Sequence, residues 1–239
     1  MSKHFKNQDA IVGSRRKFLQ MAGAMGAGSA LGALSLDALA ATAASAPATV
    51  DLPFAKGLRQ LATFPQKRPL ILLTSRPPQL ETPFKVFNDG IFTPNDAFFV
   101  RYHWSGIPTN IDPKTYRVSI KGKVNSPLTL SLDEIKGMGA VEIAAAHQCS
   151  GNSRGFSNPR VNGGESANGA MGNAVWTGVP LKKILEKAGV QAGAVQVIFN
   201  GLDHPPVGDG PDFIKAIDLD HAMDGEVMLA WAMNGAALP

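Results

Sequence analysis

Apolar and polar residues alternate from Tyr116 to Gly122, which predicts a half-buried strand. Ser131-Leu132-Asp133-Glu134 has the spacing of a capping box, in which serine and glutamate satisfy each other's free backbone donors, so a short helix should open there and stop before Gly137. Val141 to Ala146 reads as a short buried strand, and Pro180 to Ala188 as a helix with proline at its start and Gly189 at its stop. Val195 to Phe199 and Val227 to Met233 predict further strands, with a helical turn over Asp218 to Ala222 between them. Residues 47–97 carry little periodicity. Arg76-Pro77-Pro78 and Glu81-Thr82-Pro83 force extended or turn geometry, which suggests a segment that wraps the rest. Ser150 to Asn173 is dense in Gly, Ser and Asn and too long for a plain connector, so it is expected to be a lid or cofactor cradle; the plainer alternative is a flexible surface loop. Mixed strands and short helices give the α+β class.

The N-terminus changes the picture by fixing a compartment. Ser14-Arg15-Arg16-Lys17-Phe18-Leu19-Gln20, followed by a weakly apolar Gly/Ala-rich stretch through Ala46, has the form of a twin-arginine export signal. Ala38-Leu39-Ala40 and Ala44-Ser45-Ala46 offer cleavage points, so the mature periplasmic chain is expected to begin near Ala41 or Pro47. Retention as a membrane anchor is the weaker alternative, because Gly23, Gly26, Gly28 and Gly32 interrupt the stretch. Three regions result: residues 1–46 as signal peptide, 47–97 as wrapping segment and 98–239 as catalytic domain. Five of the 23 basic and two of the 19 acidic residues lie in the first 40, which leaves 18 and 17 for the remainder. A nearly neutral mature chain gives no case for nucleic-acid binding. At 44% hydrophobic and 18% charged residues, it has enough apolar material for a core.

Cys149 is the single cysteine, in the run His147-Gln148-Cys149-Ser150-Gly151-Asn152-Ser153-Arg154-Gly155. Outside the cytoplasm a thiol without a disulfide partner is an oxidation hazard unless something occupies it. An inert buried thiol or an intermolecular bridge would explain the count, but Gly, Ser and Asn neighbours mark a turn with exposed amides rather than a packed core. A thiolate at a strand end, with Arg154 nearby to lower its pKa, suits a soft metal. The sequence has no Cys-x-x-Cys or His-Glu-x-x-His cluster to hold a bare ion, so a cofactor must bring the other ligands. Without Cys-x-x-Cys-His, covalent c-type haem is excluded from this chain and electrons must leave to a partner.

Five ordered blocks resemble the molybdopterin-dependent sulfite oxidase family, and within it the exported bacterial sulfite dehydrogenases. They are Phe98 to His103, Gln148 to Gly155, Asn168 to Leu181, Gly201-Leu202-Asp203 and Met233-Asn234-Gly235, within a resemblance running from about Phe84 to Pro239. The resemblance implies a mixed-sheet molybdopterin-binding domain. It places Cys149 as the thiolate ligand of molybdenum in a bis-oxo, single-pterin centre, and Arg101 and Arg154 in the oxyanion pocket. Phe99, Val100, Arg101, Tyr102, His103 and Asp203 become cofactor contacts, with Arg101 and His103 also counted as catalytic, and Trp176 an aromatic wall of the substrate pocket. Sulfite would be oxidised to sulfate and electrons passed to a c-type cytochrome.

Each residue has a plainer explanation too. Arg101 could be the exposed end of a strand, His103 a structural histidine, Trp176 a core anchor and Asp203 a turn residue. Arg154, five positions after Cys149 on the same loop, is hardest to dismiss. Met233-Asn234-Gly235-Ala236 carries the Asn-Gly pair of a two-residue hairpin, yet almost nothing follows it, so the returning strand is expected to be missing. The family continues through further cofactor contacts and a C-terminal β-sandwich that forms homodimers, so the chain is expected to be C-terminally truncated. Two alternatives stand beside sulfite oxidation: another periplasmic molybdopterin oxidoreductase, of the sulfur dehydrogenase or methionine sulfoxide reductase type, and an inactive remnant whose thiol is idle.

Overall fold

The structure is a computed structural model and describes residues 48–238. The twin-arginine segment therefore lies outside the described residues. Residues 49–101 form a five-stranded sheet in chain order: β1 (Thr49–Asp51), β2 (Leu58–Ala62), β3 (Leu70–Ser75), β4 (Pro78–Glu81) and β5 (Val100–Arg101). The segment expected to wrap the molecule without regular structure is thus a meander. Its prolines sit at strand starts and turns, where no ladder donor is needed: Pro78 opens β4, and Pro83 and Pro94 precede the two 3-10 turns that lead to β5.

The rest of the chain follows as a hairpin, β6 (Arg117–Ile120) with β7 (Leu128–Ser131), and then α1 (Leu132–Lys136). Both halves of the capping box are present: the Glu134 amide donates to Ser131 Oγ at 3.2 Å, and the Ser131 amide to Glu134 Oε2 at 2.8 Å. Strand β8 (Val141–Gln148) pairs along its whole length with β9 (Met171–Pro180). Helix α2 (Leu181–Ala188) starts directly after Pro180 and ends at Gly189, whose φ of 69° is the left-handed stop expected of that glycine. Next come β10 (Gln196–Asn200) and β11 (Ile214–Asp218), which pair with each other, then α3 (Leu219–Met223), β12 (Met228–Met233) and β13 (Ala236–Ala237). The sheet that carries the site has the order β13-β12-β9-β8, and among the described residues all paired strands run antiparallel. The α+β class holds.

Two local expectations need adjustment. The 141–148 strand is half-buried, with exposure alternating along it, because β8 is the edge of its sheet and one face meets solvent. The Asn234-Gly235 pair does make a two-residue turn, with φ of 51° and 76°, and a short returning strand exists: Met233 pairs with Ala236 and Ala232 with Ala237.

The core of this region gathers Leu130, Ile135, Val179 and Ile184 from β7, α1, β9 and α2, with Val118, Leu128 and Trp231 packed around them. Ile184 is 2% exposed whereas Ile198, on β10, is 63% exposed. Truncating a buried isoleucine removes its transfer free energy and leaves a cavity, so Ile184→Ala should lower the unfolding free energy by about 2–5 kcal/mol in urea titration. Ile198→Ala should change it by less than about 0.5 kcal/mol.

Candidate active site

Strand β8 ends at Gln148 and delivers Cys149 to a loop held by backbone bonds. The Cys149 amide donates to Ala170 O at 2.9 Å, which carries the β8–β9 ladder one residue further. The Asn152 amide then donates to Cys149 O at 2.9 Å, closing a tight turn, and the Gly151 amide approaches Cys149 Sγ at 3.4 Å. Ser153 takes the left-handed conformation (φ 65°), which swings the chain so that Arg154 opens a 3-10 turn, Arg154–Phe156.

The returning segment, residues 164–170, is laced to this loop. Ser153 N donates to Ala167 O at 2.6 Å and Gly155 N to Ser166 O at 2.9 Å; Ala170 N donates to Asn152 Oδ1 at 2.9 Å, and the Ser166 hydroxyl donates to Gly151 O. Beneath it lies Glu81, at the end of β4 and 2% exposed. One carboxylate oxygen accepts the Ala167 amide at 2.8 Å and the other the Gly169 amide at 2.7 Å. Burial pushes the Glu81 carboxyl above its ordinary range, a shift opposed by those two amides and by the charge of Arg59.

Cys149, Arg101 and Arg154 line one cleft, together with Phe99, Val100 and Gln79. Arg101 arrives from β5, where it pairs with Gln79 across the ladder. Glycines make room for Arg154: a Cβ on Gly151 would lie 2.9 Å from its Nη2, and one on Gly163 (φ 115°) 2.3 Å from its Nη1. The guanidinium therefore lies in a slot that side chains would fill. From the far side, Phe54 closes on Gly155, where a Cβ would lie 2.4 Å from its ring, and meets Phe156 edge to face at 5.6 Å.

A second cleft adjoins through Arg101 and is lined by Tyr102, His103, Leu202, Asp203 and Phe213. His103 stacks on Phe213 with ring centres 3.7 Å apart. Burial, reinforced by the charge of Arg101, holds its pKa below the usual histidine range, so the ring is neutral near pH 7. Asp203 Oδ2 accepts the Trp104 amide at 3.3 Å, and the buried Trp104 indole N–H has no partner among the described residues.

The donor set fits a thiolate-bound metal carried by a flat organic group. A sulfur meets a backbone amide in a cleft that Arg101 and Arg154 also line, and the adjoining cleft offers stacked rings and a carboxylate. Of the residues predicted from sequence, Phe99, Val100, Arg101, Cys149 and Arg154 share the first cleft, and Arg101, Tyr102, His103 and Asp203 the second. Trp176 lines neither. It lies on β9 in an aromatic cluster with Phe98 and His147, and its indole N–H donates to Ala145 O at 3.0 Å, so in this chain it supports the cysteine strand. Apolar packing of the His147 ring in that cluster lowers its pKa. Sequence reading missed Gln79 and Glu81. Glu81 had been noted only as part of a proline-bounded turn, and nothing local marks an acid whose partners lie 86 and 88 residues away.

A family model described as "Oxidoreductase molybdopterin binding domain" matches residues 104–239. Mitochondrial sulfite oxidase of Macaca fascicularis is 38% identical over 183 residues, covering 73% of this chain and 33% of that protein. Nitrate reductase [NADH] 1 of Oryza sativa subsp. japonica is 32% identical over 179 residues, covering 71% of this chain and 19% of that protein. The chain thus spans about a third or less of the length of these curated relatives. Among solved structures, the sulfane dehydrogenase SoxCD from Paracoccus pantotrophus has a similar fold, with TM-score 0.58 and 22% identity over 90% of this chain and 49% of that one. With Cys149 and its two arginines in one cleft, and most of the chain aligned to these oxidoreductases, the protein belongs to the molybdopterin-binding oxidoreductases of the sulfite oxidase family.

Proposed function

We propose that this chain forms the catalytic part of a periplasmic sulfite dehydrogenase, oxidising sulfite to sulfate and passing electrons to a c-type cytochrome. The single observation that carries the reading is the convergence of Arg101 and Arg154 on the cleft that holds Cys149. Cys149 would hold molybdenum, and Phe99 to His103 with Asp203 would hold the pterin. That group supplies two-electron oxidation and oxygen transfer when bound. The protein's own part is to select, orient and screen the anion. Sulfite is a small oxyanion that carries one or two negative charges near neutral pH, and a pair of guanidiniums gives fixed charge and forked donors at any physiological pH. Phe99 and Val100 exclude water from one wall of the cleft, which strengthens the attraction between guanidinium and anion.

The test uses the longest natural form of the protein, purified with its cofactor and assayed for sulfite-dependent reduction of cytochrome c. A charge-assisted hydrogen bond is worth about 1.5–3 kcal/mol, so Arg154→Gln should raise the sulfite KM about 10- to 150-fold. A preparation without molybdenum, or an unchanged KM in this variant, removes the proposal. Cys149→Ala should fold with an unchanged circular dichroism spectrum and, because the pterin keeps its own hold on the metal, retain part of its molybdenum while losing sulfite-dependent cytochrome c reduction. Export is a separate outcome: replacing Arg15 and Arg16 with lysine should leave the protein in the cytoplasmic fraction, and continued appearance in the periplasm would overturn the assigned route.

A further inference from the structure

Glu81 is a buried acid that the proposed chemistry does not use. It lies at the end of β4 in the N-terminal meander, outside the segment matched by the family model, and both of its oxygens are committed to amides of the segment that laces the cysteine loop. The neighbouring Thr82 amide donates to Gly169 O at 3.1 Å, so β4 grips Gly169 from both its donor and its acceptor side. The fit is close: a Cβ on Gly169 would lie 2.0 Å from Thr82 O and 2.5 Å from Glu81 Cγ. From Ala167 and Ala170 the bonds run directly to Ser153 and Cys149.

We propose that Glu81 is a positioning residue that sets the place of Arg154 relative to Cys149. Its carboxylate fixes residues 167–169, and those residues fix the turn on which Arg154 stands. Two divergent amides need two acceptors, and only a carboxylate offers one on each oxygen. Glutamine would meet one of the two amides with its own NH2, placing donor against donor. A neighbouring ion pair braces the same segment, with Arg59 reaching Glu165 at 3.1 Å and Arg160 bound to the same carboxylate. That pair holds the side chain of Glu165, whereas Glu81 takes up two backbone amides of the segment itself.

The inference rests on the proposed function only in treating the cleft as the site, so its test needs neither cofactor nor turnover. In cofactor-free protein, Cys149 is alkylated in parallel with iodoacetate, an anion, and iodoacetamide, its neutral counterpart. The ratio of the two rates reads the positive charge held at the sulfur, and a general loosening of the fold changes both rates together. Arg154→Ala sets the value for a missing guanidinium. Glu81→Gln should lower the ratio about fivefold, towards that value. Removing a negative charge without moving the loop would raise the ratio, so an unchanged or raised ratio overturns the proposal. Ile184→Val serves as a destabilised control far from the cleft and should leave the ratio unchanged; if it lowers the ratio equally, the effect is global and the proposal fails. Where Glu81→Gln does not yield folded protein, Glu81→Asp keeps the charge one methylene short of the amides, should lower the ratio at least twofold, and overturns the proposal if it does not.

Discussion

Everything at the site depends on the hydrogen-bonded lacing between two loops, residues 149–155 and 164–170. A loop rich in glycine and serine has no side-chain packing of its own to define a shape, and its conformational freedom costs on the order of 1–2 kcal/mol per residue to remove. Here the freedom is removed by paired backbone groups. Cys149 with Ala170, Ser153 with Ala167 and Gly155 with Ser166 continue the ladder of the β8 and β9 strands past its formal end. The cysteine is thus the first residue beyond a strand and also part of an extended two-stranded ribbon. That combination exposes the sulfur while holding its Cα as firmly as a sheet residue.

Charge placement follows from this ribbon. Arg154 can enter the cleft only because Ser153 turns the chain through a left-handed conformation and because Gly151 and Gly163 leave the space that a Cβ would occupy. Arg101 comes from a different sheet, and its position is set by the pairing of β4 with β5. Two positive residues from separate elements are therefore brought to one cleft by separate backbone ladders. Neither has a carboxylate within salt-bridge distance among the described residues, whereas Arg59, Arg68 and Arg160 do. An unneutralised pair of guanidiniums in a partly enclosed cleft is a standing attraction for an anion.

The parts of the fold that were legible in the sequence are those decided by a few consecutive residues. The capping box at Ser131, the proline and glycine bounding the 181–188 helix, and the Asn234-Gly235 turn all form as their local chemistry dictates. The 171–180 strand was not read as one. Gly172, Asn173, Gly178 and Pro180 have poor strand propensity, and the segment is a strand because β8 pairs it on one side and β12 on the other. The N-terminal meander was hidden for a related reason: its strands run two to six residues between prolines and turns, too short for periodicity to register. At the site, Cys149 and Arg154 stood out because they share one loop. Glu81 did not, since its role exists only once the chain has folded back on itself.

The meander also changes what counts as the functional unit. The family model begins at residue 104, yet three features of the cysteine loop are supplied from before that point. Glu81 and Thr82 hold residues 167–169, Phe54 closes on Gly155 and Phe156, and β5 carries Arg101. The Arg59 guanidinium lies 5.8 Å from the Phe54 ring centre while its other end reaches Glu165, so one residue of β2 ties the aromatic closure to the ion pair. These contacts are between residues roughly 85 to 110 positions apart and cannot form until the late part of the domain is in place. The meander is therefore the back wall of the site. A piece of the chain cut at residue 104 would keep the cysteine and Arg154 but lose Arg101 and the carboxylate beneath the loop, and with them the geometry that distinguishes an anion cleft from an exposed thiol.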